Sequence, residues 1–187
     1  MLIENEFEVA APIEQVWQYL LDVPRLAPCM PGAELTEVIG DDEFKGRVTA
    51  KMGPVSLRFA GTAKIVERDA VARRIVINAT GSEEKGKGQA SMLVTSTLMP
   101  SGTGTTRVKV AQNLTISGAL AQYGRGMISD VTKVLMGSFA DCLQENIARA
   151  SRGEAAQATA APVKGFSVGV KAFLMALKRL FGRGKTA

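Results

Sequence analysis

The residue that most often moves protons or binds metals is missing, because none of the 187 residues is a histidine. Its absence removes the usual general base, the Ser-His and Cys-His nucleophile pairs, and the commonest nitrogen ligand for zinc or iron. Cys29 and Cys142 stand far apart and belong to no CxxC pattern. They read as reduced thiols in a reducing compartment, each a small buried apolar side chain, and they are too few for a structural metal site. Carboxylates are adjacent at Asp41-Asp42 and Glu83-Glu84, but both pairs fall in predicted hairpin turns, where a solvated charge cluster is expected rather than an acid-base dyad. The stretch from Gly81 to Gly88, GSEEKGKG, has the GxxxxGK spacing of a phosphate-binding loop. Gly88 stands where a Ser or Thr would hold magnesium, two glutamates would repel phosphate, and a strand rather than a helix follows, so a flexible hairpin tip is expected. The chain is therefore read as not an enzyme, with no metal and no covalent cofactor.

The elements that carry these residues follow from hydrophobic period. Ile3, Asn5, Phe7 and Val9 alternate with Leu2, Glu4, Glu6 and Glu8, the pattern of a strand with one inward and one wet face. The alternation returns with Phe44, Gly46, Val48, Ala50 and Met52, then with Val55, Leu57, Phe59, Gly61, Ala63 and Ile65, and again at about 73–80, 89–99 and 105–117. Turn signals at Gly40-Asp41-Asp42, Gly53-Pro54, Glu67-Arg68-Asp69, Gly81 to Gly88 and Pro100 to Gly104 join antiparallel neighbours, so the body is a meander of six or seven strands. A first helix places Ile13, Val16, Trp17, Leu20 and Leu21 on one face and ends at Pro24. A second, from about Ala119 to Ala150, carries a stripe of Leu120, Tyr123, Met127, Val131, Val134, Leu135 and Cys142. The fold class is α+β, with one antiparallel sheet burying its inner face against the long helix.

The order of strand, helix pair, antiparallel strands and long final helix resembles the START-like (SRPBCC) helix-grip fold. The segments API-EQVWQYLLDVPRLAPCMPGAE, KMGPVSLRFAGTAKI and ISGALAQYGRGMISDVTKVLMGSFADCLQENI resemble the CoxG family, named for the CoxG subunit of carbon monoxide dehydrogenase, over about residues 1 to 149. The resemblance implies a curved sheet wrapped on the long helix with an apolar ligand cavity between them.

Inward strand positions are unusually small: Gly46, Ala50, Gly61, Ala63, Ala79, Ala90 and Ser96. Composition alone leaves two explanations open, glycine for curvature with alanine for fit, or a hollow. With the resemblance, the expected lining is Phe7, Phe44, Phe59, Met92 and Leu114 on the sheet, and Tyr123, Met127 and Val131 on the helix. A cavity with few charges suits a quinone or similar isoprenoid lipid. The Tyr123 hydroxyl would reach a quinone carbonyl.

Charge divides the chain. Six of the 23 basic groups, Lys164, Lys171, Lys178, Arg179, Arg183 and Lys185, lie after Pro162 with no acid, leaving 17 basic against 18 acidic groups before it. The body, residues 1–150, is near neutral. Residues 151–162 form a polar linker, and 163–187 a basic tail. On a helix, Phe166, Val170, Phe173, Leu174, Leu177, Leu180 and Phe181 share one arc while Lys171, Lys178 and Arg179 point elsewhere. Lys171 and Lys178 would sit at mid-bilayer in a spanning helix, so the tail is expected to lie on an anionic membrane surface instead. A neutral body argues against nucleic acid as a partner.

Together these expectations describe a peripheral protein on the inner, cytoplasmic face of the cell membrane that extracts a quinone and recruits or supplies a carbon monoxide dehydrogenase or related molybdenum hydroxylase, the enzyme being implied by the resemblance alone. The alternatives are a START-like cyclase or hydratase acting on an aromatic substrate, with Tyr123, Arg125 or Asn5 positioning it, or an assembly factor for the molybdenum enzyme.

Overall fold

The computed structural model describes residues 1–52, 55–122, 124–154 and 159. Tyr123 and the whole tail from 163 to 187, with all its expected membrane contacts, lie outside the described residues.

Seven strands form one antiparallel sheet: β1 (Leu2–Val9), β2 (Ala33–Val38), β3 (Glu43–Met52), β4 (Val55–Asp69), β5 (Arg74–Glu83), β6 (Gln89–Pro100) and β7 (Thr106–Ile116). Their spatial order is β1-β7-β6-β5-β4-β3-β2, a meander from β2 to β7 with β1 added at the far edge. The register places the alternating apolar residues on one face, since Phe44 pairs with Ala63, Gly46 with Gly61 and Val48 with Phe59. Ala79 pairs with Met92 and Val108 with Phe7 in the same phase.

That face is concave, and glycine allows the bend. A Cβ on Gly61 would stand 1.9 Å from the Thr80 carbonyl oxygen, and one on Gly46 would stand 2.8 Å from that of Glu34. Neighbouring backbone occupies the space a side chain would need, so curvature accounts for these two glycines.

Helix α1 (Ile13–Leu21) buries Val16, Trp17, Tyr19 and Leu20. It stops at Leu21 because Asp22 turns out of helical geometry and caps α2 (Val23–Leu26), accepting from the Arg25 amide at 3.2 Å. Pro24 thus sits in the first turn of α2 instead of ending α1. A 3-10 turn, Ala27–Cys29, leads to β2.

The long helix α3 runs from Arg125 to Ser151, later than the expected start at Ala119. Gly118–Gln122 forms a separate 3-10 turn, and Gly124 is extended (φ −62°, ψ 144°), so the helix starts only after it. Glycine there lowers the cost of leaving helical geometry.

The cysteines correct the sequence reading. Cys29 and Cys142 are both buried, as expected, but they are joined in a disulfide with a Cα–Cα separation of 5.4 Å, leaving no free cysteine. The bond ties the 3-10 turn to α3, a proximity that only the packing of α3 creates. Asn146 Nδ2 donates to Cys29 Sγ at 3.2 Å within the same buried cluster.

Candidate ligand-binding hollow

The concave face is filled at one end and open at the other. At the end where α1 packs, Ile65, Ile75, Leu98, Val108 and Phe44 are all at most 5% exposed and join Val9, Val16, Trp17, Leu143 and Ile147 in one cluster. Further along the same strands, in the same phase, exposure rises, until Leu57 on β4 and Glu83 on β5 are buried again beside the hairpins at 3% and 4%. Ile77, Ala79 and Gly81 on β5 are half-buried, as are Val94, Met92 and Ala90 on β6 and Leu114 and Ile116 on β7. On β3 the change is steepest, from Phe44 at 5% to Val48 at 44%. Positions in the middle of a seven-stranded sheet that face its own helix would be buried if the space were solid.

The placement of α3 explains the gradient. Its Phe139 ring meets Phe7 edge-on at 5.9 Å, and the helix runs closest to β1, α1 and the 3-10 turn Ala27–Cys29. Strands β3 to β6 curve away from it. The buried residues of α3 are Phe139, Cys142, Leu143, Asn146 and Ile147 in its second half and Asp130 and Val131 in its first. Towards its start, Val134 and Leu135 are half-buried and Met127 is 36% exposed. The hollow therefore opens at the end formed by the β3–β4 and β5–β6 hairpins and the start of α3.

Of the expected lining, Phe59, Met92 and Leu114 line the half-open part, Val131 faces inward at 9% exposure, and Met127 stands at its rim. Phe44 and Phe7 belong to the filled end instead, Phe44 within the core cluster and Phe7 packed against it and against the Phe139 ring. Neither borders the open part. Arg125, considered as a substrate-positioning residue, is exposed at the first turn of α3, whereas Asn5 faces the concave side.

Two polar residues were misjudged or missed. Glu83 is not solvated: it is 4% exposed on the concave face, opposite Phe59. Its Oε2 accepts from the backbone amides of Lys85 at 2.9 Å and Lys87 at 3.2 Å, so it organises the β5–β6 turn. Burial pushes its pKa up, but those two amides and the Lys87 charge hold it below the ordinary value. The neighbouring Glu84 pairs with Arg47 at 3.4 Å. Gln112, 7% exposed, lies in the inward phase of β7 between Val110 and Leu114. The period-2 pattern places it there, an amide in an otherwise apolar phase.

Among the described residues no three His, Cys, Asp or Glu side chains come together to hold a metal, and no helix is long and apolar enough to cross a membrane. A groove of about 530 Å³ is lined by Thr62, Thr80, Ser91, Thr115 and Ser117 of the outward phase together with Gly61, Gly81 and Ala90 of the inward phase.

A curved seven-stranded sheet gripping one long helix over an unevenly filled interior defines a START-like helix-grip protein. Residues 6–148 match the family of the carbon monoxide dehydrogenase CoxG subunit, and the chain belongs to that family. No curated protein matches it. Among solved structures, a conserved protein from Geobacillus kaustophilus is 21% identical with a TM-score of 0.72, over 80% of this chain and 97% of that one. The Zhui aromatase/cyclase from Streptomyces sp. R1128 is 16% identical (TM-score 0.55; 81% and 96% covered). Norcoclaurine synthase from Thalictrum flavum is 18% identical (TM-score 0.54; 76% and 92% covered). At such identities these likenesses concern the fold. Family and fold together support a ligand-binding role for the hollow.

Proposed function

We propose that this protein is a non-catalytic carrier that takes a quinone or similar isoprenoid lipid from the surface of the cell membrane and supplies it to a carbon monoxide dehydrogenase or related molybdenum hydroxylase. The observation that carries the reading is the exposure gradient along the concave face. Walls made of Phe59, Ala63, Ala79, Met92, Leu114 and Val131 hold a guest through apolar area, at about 25 cal/mol per Å² buried. The mouth also suits an anionic surface, because Lys51, Arg58, Lys85, Lys87 and Arg125 are exposed around it while Glu83 is buried and Glu84 is paired. The basic amphipathic sequence of 163–187 adds a second attachment to the same lipid. The partner enzyme is supported by the family alone.

Native mass spectrometry after mild extraction tests the carrier. A co-purified adduct with the mass of a quinone or isoprenoid lipid is expected, and protein that stays empty even after incubation with quinone-loaded vesicles would overturn the reading. A cyclase or hydratase reading has the aromatase/cyclase and the synthase as fold relatives. It requires a polar, reactive lining. The described concave face of the sheet offers Asn5, Ser96, Thr106 and Gln112, none of them an acid or a base, besides Glu83, whose carboxylate serves the turn, and α3 adds one buried acid, Asp130.

A further inference from the structure

Asn5 lies on the concave face in phase with Ile3, Phe7 and Val9, and its Nδ2 is buried with no hydrogen-bond acceptor among the described residues. Buried amides are almost always paired, so an unpaired donor beside a hollow marks a place for an acceptor that arrives from outside. The register sets its neighbours. Asn5 is opposite Val110 and Ile3 is opposite Gln112, so the two amides are diagonal on one face. Ser96 is also opposite Val110, on the other side of it. These three polar side chains interrupt an apolar stretch made by Ile3, Phe7, Val94, Val108 and Val110.

Their depth is as informative as their type. Along β7 the buried run Val108, Val110, Gln112 gives way to half-buried Leu114 and Ile116, and along β6 buried Leu98 gives way to half-buried Ser96 and Val94. The polar group therefore sits where the packed core ends and the hollow begins.

The geometry points to a polar anchor at the floor of the hollow, in which the Asn5 amide, with Gln112 beside it, donates a hydrogen bond to the carbonyl or hydroxyl oxygen of an otherwise apolar guest. This deepens the carrier reading and rests on the hollow being a ligand site. The acceptor is neutral, because the inward phases of β1, β3, β5, β6 and β7 carry no Lys or Arg to balance a carboxylate or phosphate. A guest with a ring carbonyl would enter head first, its oxygen at Asn5 and its chain towards Met92, Phe59 and the mouth.

Calorimetric titration of the full chain with 2-methyl-1,4-naphthoquinone and with 2-methylnaphthalene separates the anchor from the hollow, since the probes share a ring and differ in the carbonyls. The wild type is expected to bind the quinone about tenfold more tightly, the size of one buried hydrogen bond. In Asn5→Leu that preference is expected to vanish while the hydrocarbon affinity is unchanged, and Gln112→Leu is expected to reduce it. Melting of the empty Asn5→Leu variant is expected at or above the wild-type temperature, because an unpaired amide is replaced by a side chain of similar size. A preference that survives in Asn5→Leu, equal affinities in the wild type, or a clear fall in melting temperature for Asn5→Leu would overturn the anchor and leave the hollow standing. Failure of the wild type to bind either probe would overturn both.

Discussion

At the scale of the residue, Glu83 and Gly61 show why polar and small positions on the concave face need separate explanations. The Glu83 carboxylate is held below its ordinary pKa chiefly because the amides of Lys87 and Lys85 outweigh the effect of burial. A group whose pKa is depressed in the folded state contributes stability that is present above its unfolded value, near 4.5, and lost as pH falls through the folded one. Glu83→Gln is therefore expected to melt below the wild type at pH 7, with the gap closing on acidification below about pH 4; thermal melts across that range check it, and a gap independent of pH would remove the carboxylate's role. Gly61 answers to sterics. With the Thr80 oxygen 1.9 Å from the position of a Cβ, Gly61→Ala is expected to cost at least about 2 kcal/mol in urea unfolding, whereas Gly86→Ala, with open space around it, loses only what its positive φ exacts.

At the scale of the element, α3 has two halves with different work. Its second half packs Phe139, Leu143, Asn146 and Ile147 into the core, and Phe139→Ala is expected to cost about 3–5 kcal/mol. Its first half roofs the hollow with Val131 and Leu135 and leaves Met127 at the rim. The disulfide fixes the second half to the 3-10 turn across a separation of 113 residues. Cys29→Ser with Cys142→Ser is expected to lower the unfolding free energy by about 2–4 kcal/mol, and denaturant melts that coincide with those of the oxidised wild type would contradict a structural bond. Strand faces were legible from the sequence because alternation with period 2 needs no tertiary information, and even Asn5 was placed inward by it. The start of α3 was not, since Leu120, Met127 and Val131 continue a helical stripe straight through Gly124. The cysteine pair was equally hidden, because Cys29 and Cys142 meet only once α3 lies across the 3-10 turn.

At the scale of the whole molecule, a closed end and an open end give the described residues a direction. The sheet is packed where α1 crosses it and opens at the hairpins, the same end that presents exposed Lys51, Arg58, Lys85 and Lys87. Flotation of the full chain with phosphatidylglycerol vesicles, against a chain ending at residue 162, is expected to show strong, salt-sensitive binding that falls severalfold on truncation; equal flotation would move the tail's role away from the bilayer. Small residues in the sequence pointed to the hollow only in part, because Gly46 and Gly61 serve curvature while Ala63, Ala79 and Ala90 border open space. That difference depends on how far α3 stands from each strand, which no local pattern encodes. The most direct measurement is the unfolding free energy of Ala79→Phe, a large ring placed between Ala63 and Met92. If the hollow is real, the variant should stay within about 0.5 kcal/mol of the wild type, or exceed it, and lose affinity for apolar guests; a loss of about 1–3 kcal/mol, the usual cost of overpacking a filled core, would contradict it.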